Sequence, residues 1–148
     1  MGNIWFAENY FLAPFAHNFP ATMFANIFYR TINDSQTLNQ IGTDISSPKN
    51  GVHFMPTNAF VVTWGSSASS STKQNTPVPV SFQIVLSTNG SNSFLTINYG
   101  PLEINASDGY YFECGSYSGC YTTISSGNPE FSSNVDVNGK WIYNISKI

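Results

Sequence analysis

Residues 82–100 alternate between apolar and polar side chains in two runs that are separated by Asn89-Gly90. An Asn-Gly pair favours a two-residue type I′ turn, because both central positions of that turn need a positive φ angle. The pattern therefore predicts a β-hairpin in which Thr88 pairs with Ser91. The same register places three apolar pairs on one face of the sheet: Ile84 with Leu95, Phe82 with Ile97 and Val80 with Tyr99.

Other short runs of β-branched and aromatic residues predict further strands. They are bounded by Gly, Pro, Asn or Ser and lie at 27–29, 59–64, 110–112 and 140–145. The density of aromatic residues in the first 30 positions is typical of core strands. In the last strand, alternation places the two aromatic side chains on one face and Ile142 on the other.

One segment has the periodicity of a helix. An apolar stripe at i, i+3 and i+7 follows Asp34, a good N-cap residue, and stops before Pro48. We predict a helix at about 35–46, with an irregular loop as the alternative, since Gly42 in its interior costs roughly 1 kcal/mol relative to alanine. The fold class is therefore mainly β, an antiparallel β-sandwich or open barrel with one short helix. The 148 residues are expected to form a single domain, 1–148.

The chain is poor in charge. Five basic and eight acidic residues give a formal net charge of −3, so neutral Ser, Thr and Asn side chains supply the solubility. The scattered basic residues offer no footprint for nucleic acid or anionic lipid. No run approaches the roughly 20 apolar residues that span a bilayer, so we expect no direct membrane insertion by this segment. A surface of this kind is more common in extracellular proteins than in the cytosol.

Patterns that would indicate catalysis are absent from the sequence. It contains no Gly-x-Ser-x-Gly, no His-Glu-x-x-His and no glycine-rich phosphate loop with lysine. His17 and His53 have no ligand-type neighbour three or four residues away, so they are better explained as structural or surface residues. We predict no enzymatic activity, no metal and no cofactor.

Two cysteines and three tyrosines are candidates for other roles. Cys114 and Cys120 enclose a short segment, and a disulfide in an oxidising compartment is preferred over two free thiols. Tyr110, Tyr111 and Tyr117 lie near a glycine-containing loop and are candidates for a carbohydrate-stacking platform. The opposing interpretation is that aromatic residues at strand spacing pack in the core.

Four N-x-[ST] sequons are candidate glycosylation sites, at Asn33, Asn89, Asn105 and Asn144. This number is close to what the Asn, Ser and Thr content would produce by chance. Asn89 is expected at the tip of the hairpin, where a glycan would reach solvent.

Five segments, taken in order, carry a more specific signal. They are 12–15 (LAPF), 27–31 (IFYRT), 60–64 (FVVTW), 82–100 (FQIVLSTNGSNSFLTINYG) and 133–143 (SNVDVNGKWIY). They resemble the APFW-type opening, xYYRE-type strand, VVTW strand, FQxVLxTDGxxSFxxxNYG hairpin and SNVxxxGRWxF closing run of the NIDO (nidogen-like) domain. This is an extracellular module of nidogens, tectorins and related mucins. The chain departs from the family at 16–18 (AHN), where Trp and acidic residues are common, and lacks the tryptophan that usually follows NYG.

The resemblance implies a non-catalytic extracellular module, secreted or part of a larger ectodomain. It implies a role in cell–matrix adhesion or in matrix and filament assembly. Such a module works through contacts with matrix or cell-surface proteins, and low charge favours self-association as one form of these contacts. The alternative function is a lectin-like carbohydrate-binding module.

Overall fold

A computed structural model describes residues 4–6, 10–13, 26–46, 52–65, 80–102, 113–116 and 131–146. The elements in these ranges are β1 (Ile4–Phe6), β2 (Tyr10–Ala13), β3 (Asn26–Ile32), α1 (Ser35–Ile45), β4 (Asn58–Gly65), β5 (Val80–Thr88), β6 (Ser93–Leu102), β7 (Glu113–Ser116) and β8 (Lys140–Asn144). β3, β4, β5, β6 and β8 form, in that order, one antiparallel sheet that is not closed. β1, β2 and β7 form a second, three-stranded antiparallel sheet. The predicted class, mainly β with one short helix, is confirmed.

Helix α1 begins at the N-cap that its sequence predicts. The Asp34 side chain accepts a hydrogen bond from the backbone N–H of Thr37 at 2.8 Å. At the other end, the backbone N–H of Ser46 donates to the carbonyl oxygen of Gly42 at 2.9 Å. A Cβ atom placed on Gly42 would lie 2.8 Å from the carbonyl oxygen of Phe54, so glycine allows the segment 52–57 to approach the helix closely. The helix prediction is confirmed, and the unfavourable glycine has a packing reason.

One face of the five-stranded sheet packs against α1 through two apolar clusters. In the first, Leu38 of the helix is buried with Ile32, Ala59, Val61 and Val85. In the second, the buried residues are Ile45, Phe54, Phe94 and Ile142, and the rings of Phe54 and Phe94 have centroids 4.6 Å apart. The stripe predicted for the helix therefore anchors it across the sheet.

The opposite face of the same sheet is also buried and apolar. Its buried side chains are Val62, Trp64, Phe82, Ile84, Leu95, Ile97 and Tyr99. The rings of Trp64 and Phe82 stack with centroids 4.7 Å apart. Trp141 and Tyr143 pair with Ile97 and Leu95 and so lie on this face, as predicted from their alternation.

The β5–β6 hairpin forms, but the predicted register is wrong by two residues. Thr88 pairs with Ser93 rather than Ser91, and the following pairs shift with it: Leu86 with Leu95, Ile84 with Ile97 and Phe82 with Tyr99. An irregularity between Val80 and Phe82 adds one more residue, so Val80 pairs with Leu102 rather than with Tyr99. The turn is a four-residue loop, 89–92, in which only Gly90 has a positive φ angle, whereas a type I′ turn needs two.

The side chain of Asn89 closes this longer loop. Its Oδ1 atom accepts hydrogen bonds from the backbone N–H groups of Ser91 at 3.1 Å and Asn92 at 2.8 Å. The N–H of Asn89 also donates to the carbonyl oxygen of Asn92 at 3.1 Å. Asn89 thus stabilises the turn through hydrogen bonds of its side chain and not by adopting the left-handed backbone conformation that a type I′ turn requires.

Candidate functional site

Strand β3 is the most exposed part of the five-stranded sheet. Among the described residues, β3 pairs only with β4, so it is an edge strand. Ile27, Phe28 and Tyr29 are 55%, 62% and 75% exposed, and Ile32, beside α1, is the buried residue of the strand. The prediction that this aromatic-rich strand belongs to the core is wrong. Its edge position leaves one flank toward solvent, and the contact with α1 is at its last residue.

The exposed apolar side chains of β3 occupy both faces of the sheet. Alternation places Ile27 and Tyr29 on the face away from α1 and Phe28 on the α1 side. On the first of these faces, the ring of Tyr29 lies beside that of Phe60 of β4, with centroids 6.2 Å apart. We call these four residues, Ile27, Phe28, Tyr29 and Phe60, the β3 strip. Because Phe60 is itself 36% exposed, the strip extends onto the neighbouring strand.

The backbone of β3 can also take part in binding. Pairing with β4 is unbroken over seven residues, from Asn26 opposite Gly65 to Ile32 opposite Ala59. Alternate residues of such a strand direct N–H and C=O groups away from its partner, and these groups can pair with a strand of another molecule. Edge strands are commonly blunted by charge, proline or a bulge, but β3 carries one charged residue, Arg30, and no proline or bulge. The arrangement suits strand-to-strand recognition.

Charged groups at the two ends of α1 help to hold the helix in place. Hydrogen bonds from the backbone and side chain of Thr37 hold the pKa of Asp34 below its ordinary value, and the positive charge of Arg30 adds to the effect. At the other end of the helix, Lys140 Nζ lies 2.6 Å from Asp44 Oδ2 and joins β8 to α1. Both arrangements stabilise the helix position.

The structure places the other candidate residues as follows. Asn33 directly follows β3, Asn89 lies in the hairpin loop, Asn144 ends β8, Cys114 lies in β7, and His53 is exposed in the segment 52–57. Asn105, Tyr110, Tyr111, Tyr117, Cys120 and His17 lie outside the described residues. The disulfide and the tyrosine platform therefore stay predictions.

Within the described ranges, no three His, Cys, Asp or Glu side chains are grouped so that they could hold a metal ion. The same ranges contain no helix that is long and apolar enough to cross a membrane.

One family model matches nearly the whole chain. The model of the nidogen-like domain, NIDO, matches residues 4–147. The chain belongs to the NIDO family. This confirms the resemblance seen in the five motifs. NIDO domains are non-enzymatic modules that occur in extracellular proteins. Searches of curated proteins and of solved structures gave no match.

In this NIDO domain, the motif at 27–31 lies on β3, so it coincides with the exposed strip. Sequence reasoning missed this exposure because three consecutive apolar residues usually indicate a strand buried on both faces. The nearest signal is Arg30, which follows them at once and is exposed. That signal is weak, since whether a strand lies at an edge depends on the order of strands in the sheet.

Proposed function

We propose that this NIDO domain is a non-catalytic extracellular module that acts in cell–matrix adhesion or in matrix and filament assembly through protein–protein contacts. The family supports the extracellular setting and the absence of catalysis. The observation that carries the proposal is the exposed β3 strip on an edge strand. It combines exposed apolar and aromatic side chains with backbone groups that can extend the sheet.

The strip has the composition of a binding hot spot. Tyrosine is among the residues that dominate binding energy at interfaces, and aromatic residues are enriched there. Burying one large apolar side chain contributes roughly 1.5–3 kcal/mol. Ile27 and Tyr29 on one face, with Phe60 beside Tyr29, and Phe28 on the other face can therefore supply binding energy on both sides of a partner strand.

A second copy of the chain is the partner that β3 fits. Two copies of Asn26–Ile32 paired antiparallel about a two-fold axis would be centred on Tyr29, since it is the middle residue of the strand. This pairing puts Phe28 opposite the partner's Arg30, an arrangement that favours a cation–π contact. With a net charge of −3, two copies repel each other little at close range. The strip therefore suits pairing with a second copy of the chain.

Sedimentation velocity across a concentration series tests self-association. The wild-type domain is expected to associate as concentration rises, and Tyr29→Ser is expected to shift it toward monomer. Phe131→Ser is the matched control, because Phe131 is 70% exposed but lies outside the strip. A wild-type protein that stays monomeric at the highest concentration contradicts the proposal, as does equal weakening by both substitutions.

Adhesion is tested separately with surfaces coated with each protein. Cells are expected to attach to wild type and to Phe131→Ser, and to attach less to Tyr29→Ser. Attachment that equals that of a blocked, protein-free surface in all three cases contradicts an adhesive role. Circular dichroism of each variant checks that the fold is retained, since both changed side chains are exposed.

A further inference from the structure

Three of the four sequons come from different strands but meet at one end of the five-stranded sheet. Asn33 directly follows β3, Asn89 directly follows β5, and Asn144 is the last residue of β8. β3, β5 and β8 all run toward this end, because each is antiparallel to the strand beside it: β3 and β5 to β4, and β8 to β6. The fourth sequon, at Asn105, lies outside the described residues.

Strand pairing fixes this alignment. Ile32, just before the first sequon, pairs with Ala59 at the start of β4, and Thr88, just before the second, pairs with Asn58. Asn144 pairs with Phe94 at the start of β6. Neighbouring strands lie about 4.8 Å apart, so along one rim Asn89 is roughly 10 Å from each of the other two sequons, which are roughly 19 Å from each other.

The asparagine side chains are placed so that a glycan can be accommodated. Asn33 and Asn144 are exposed and Asn89 is half-buried. Backbone N–H donors identify the oxygen of two of these amides: Asn89 Oδ1 accepts from the loop, and Asn144 Oδ1 accepts from the N–H of Ser146 at 3.0 Å. Among the described residues, the Nδ2 atoms of these two asparagines donate no hydrogen bond. By contrast, Nδ2 of Asn98 and of Asn134 donates to Gln83 and to the Ile142 carbonyl.

Among the described residues, the opposite end of the sheet has asparagines but no sequon. Asn26 begins β3 there and Asn98 pairs with Lys140 at the start of β8, yet the residues two positions later are Phe28 and Gly100. In the described part of the chain, sequons are therefore confined to one end of this sheet.

We propose that Asn33, Asn89 and Asn144 are N-glycosylated and that their glycans form a rim at this end of the sheet. The inference rests on the proposed extracellular setting. The co-reactant is a lipid-linked diphosphate oligosaccharide of the secretory pathway. The asparagine Nδ2 forms a bond to the anomeric carbon of the first sugar, the bond between that carbon and the diphosphate oxygen breaks, and Nδ2 loses one proton to solvent. The lipid diphosphate is the leaving group, and nothing is oxidised or reduced.

Attachment through Nδ2 leaves the observed hydrogen bonds of Oδ1 intact, so modification does not require the hairpin loop or the end of β8 to rearrange. The rim also limits where a partner can bind. Tyr29 lies four residues from Asn33, roughly 13 Å along an extended strand. The proposed pairing over Asn26–Ile32 ends one residue before Asn33, so a glycan at Asn33 would mark the boundary of the paired region.

The test is expression of the full chain behind a secretory leader in eukaryotic cells. Enzymatic deglycosylation in heavy-oxygen water converts each glycosylated asparagine to aspartate with heavy oxygen, which peptide mass spectrometry locates. We expect the label at 33, 89 and 144. A secreted, folded protein that lacks the label at any one of these positions overturns the proposal.

Single variants sharpen the assignment. Asn33→Gln, Asn89→Gln and Asn144→Gln should each remove one glycan from the intact mass. Asn58→Gln is the matched control, because Asn58 is exposed at the same end but has no hydroxyl residue two positions later. Ser146→Thr retains the sequon and should keep the glycan. A protein that carries all three glycans but stays monomeric would support the glycan rim and refute self-association. A protein that associates but carries no glycan at these sequons would refute the glycan rim and support self-association.

Discussion

Replacing Gly42 by alanine separates helix propensity from tertiary packing. Gly42 lies inside α1, where alanine is favoured over glycine by about 1 kcal/mol. Propensity alone therefore predicts that Gly42→Ala stabilises the protein. The structure predicts the opposite sign, because the new methyl group would point at the backbone of the segment 52–57.

The size of the effect follows from the contacts. The added Cβ would lie 2.8 Å from the carbonyl oxygen of Phe54 and 3.1 Å from Cδ of Pro56, whereas ordinary contact begins at 3.4 Å. The carbonyl would have to move by about 0.6 Å. It is held by the Ser46 hydroxyl, which donates to it at 3.2 Å and accepts from the Phe54 N–H at 2.9 Å. The Phe54 ring is buried against Phe94, so the backbone cannot shift freely.

Overpacking of this kind typically costs about 1–3 kcal/mol, and a blocking atom that belongs to the backbone favours the upper half of that range. After the gain in propensity is subtracted, Gly42→Ala should lower the free energy of unfolding by about 1–2 kcal/mol. With a urea m value of about 2 kcal/mol/M, the unfolding midpoint should fall by roughly 0.5–1 M.

Urea unfolding followed by circular dichroism measures this shift. Asn39→Ala is the matched control, since Asn39 is an exposed position of the same helix. This substitution should raise the free energy of unfolding slightly, by no more than about 0.7 kcal/mol, and the urea midpoint with it. If both variants are stabilised alike, the close approach at Gly42 does not constrain the helix and the reasoning is refuted.

Three further changes have defined outcomes. The pKa of Asp34 is lowered in the folded state, so its ionised form stabilises the fold above the unfolded pKa near 3.8, and this stability is lost as pH falls through the folded pKa. Asp34→Asn should therefore remove that pH dependence in thermal melts while keeping a cap. Lys140→Met should cost about 0.2–1 kcal/mol in urea unfolding at low salt and less at high salt, because the pair with Asp44 is partly exposed. Deleting Ser91 and Asn92 together should preserve the thermal transition, because it leaves Asn89-Gly90 as a two-residue turn between the paired residues Thr88 and Ser93; loss of the transition in a circular dichroism melt would contradict this.

The helix was predictable because its signals are local. Asp34 caps the residues that follow it, and the apolar stripe lies within 11 residues. The reason for Gly42 was not predictable in the same way, because the carbonyl it accommodates comes from a separate segment. A sequence shows that a glycine is present, but a long-range contact decides whether it is a weakness or a requirement.

The exposure of β3 depends on sheet order, which local patterns do not specify. The apolar run at 27–29 and the apolar run in β4 look alike in sequence, yet Val61 and Val62 are buried while Tyr29 is 75% exposed. The difference is that β4 lies between β3 and β5, whereas β3 is at the edge. The alignment of the sequons at Asn33, Asn89 and Asn144 was hidden for the same reason, since it emerges when the strands are placed side by side.

The hairpin shows why an incorrect prediction of the turn can still give a correct prediction of the buried residues. The pairing register of the two strands has two aspects. One is whether a shift of one strand along the other is an odd or an even number of residues, and the other is the size of that shift. The apolar pattern determines the first, because an odd slip would move every buried side chain to the other face. The turn determines the second, and the side chain of Asn89 makes a four-residue loop where its backbone would have made a two-residue one. The predicted register differs from the observed one by two residues at these pairs, which is an even number. Phe82, Ile84, Leu95 and Ile97 therefore remain buried together although their partners differ.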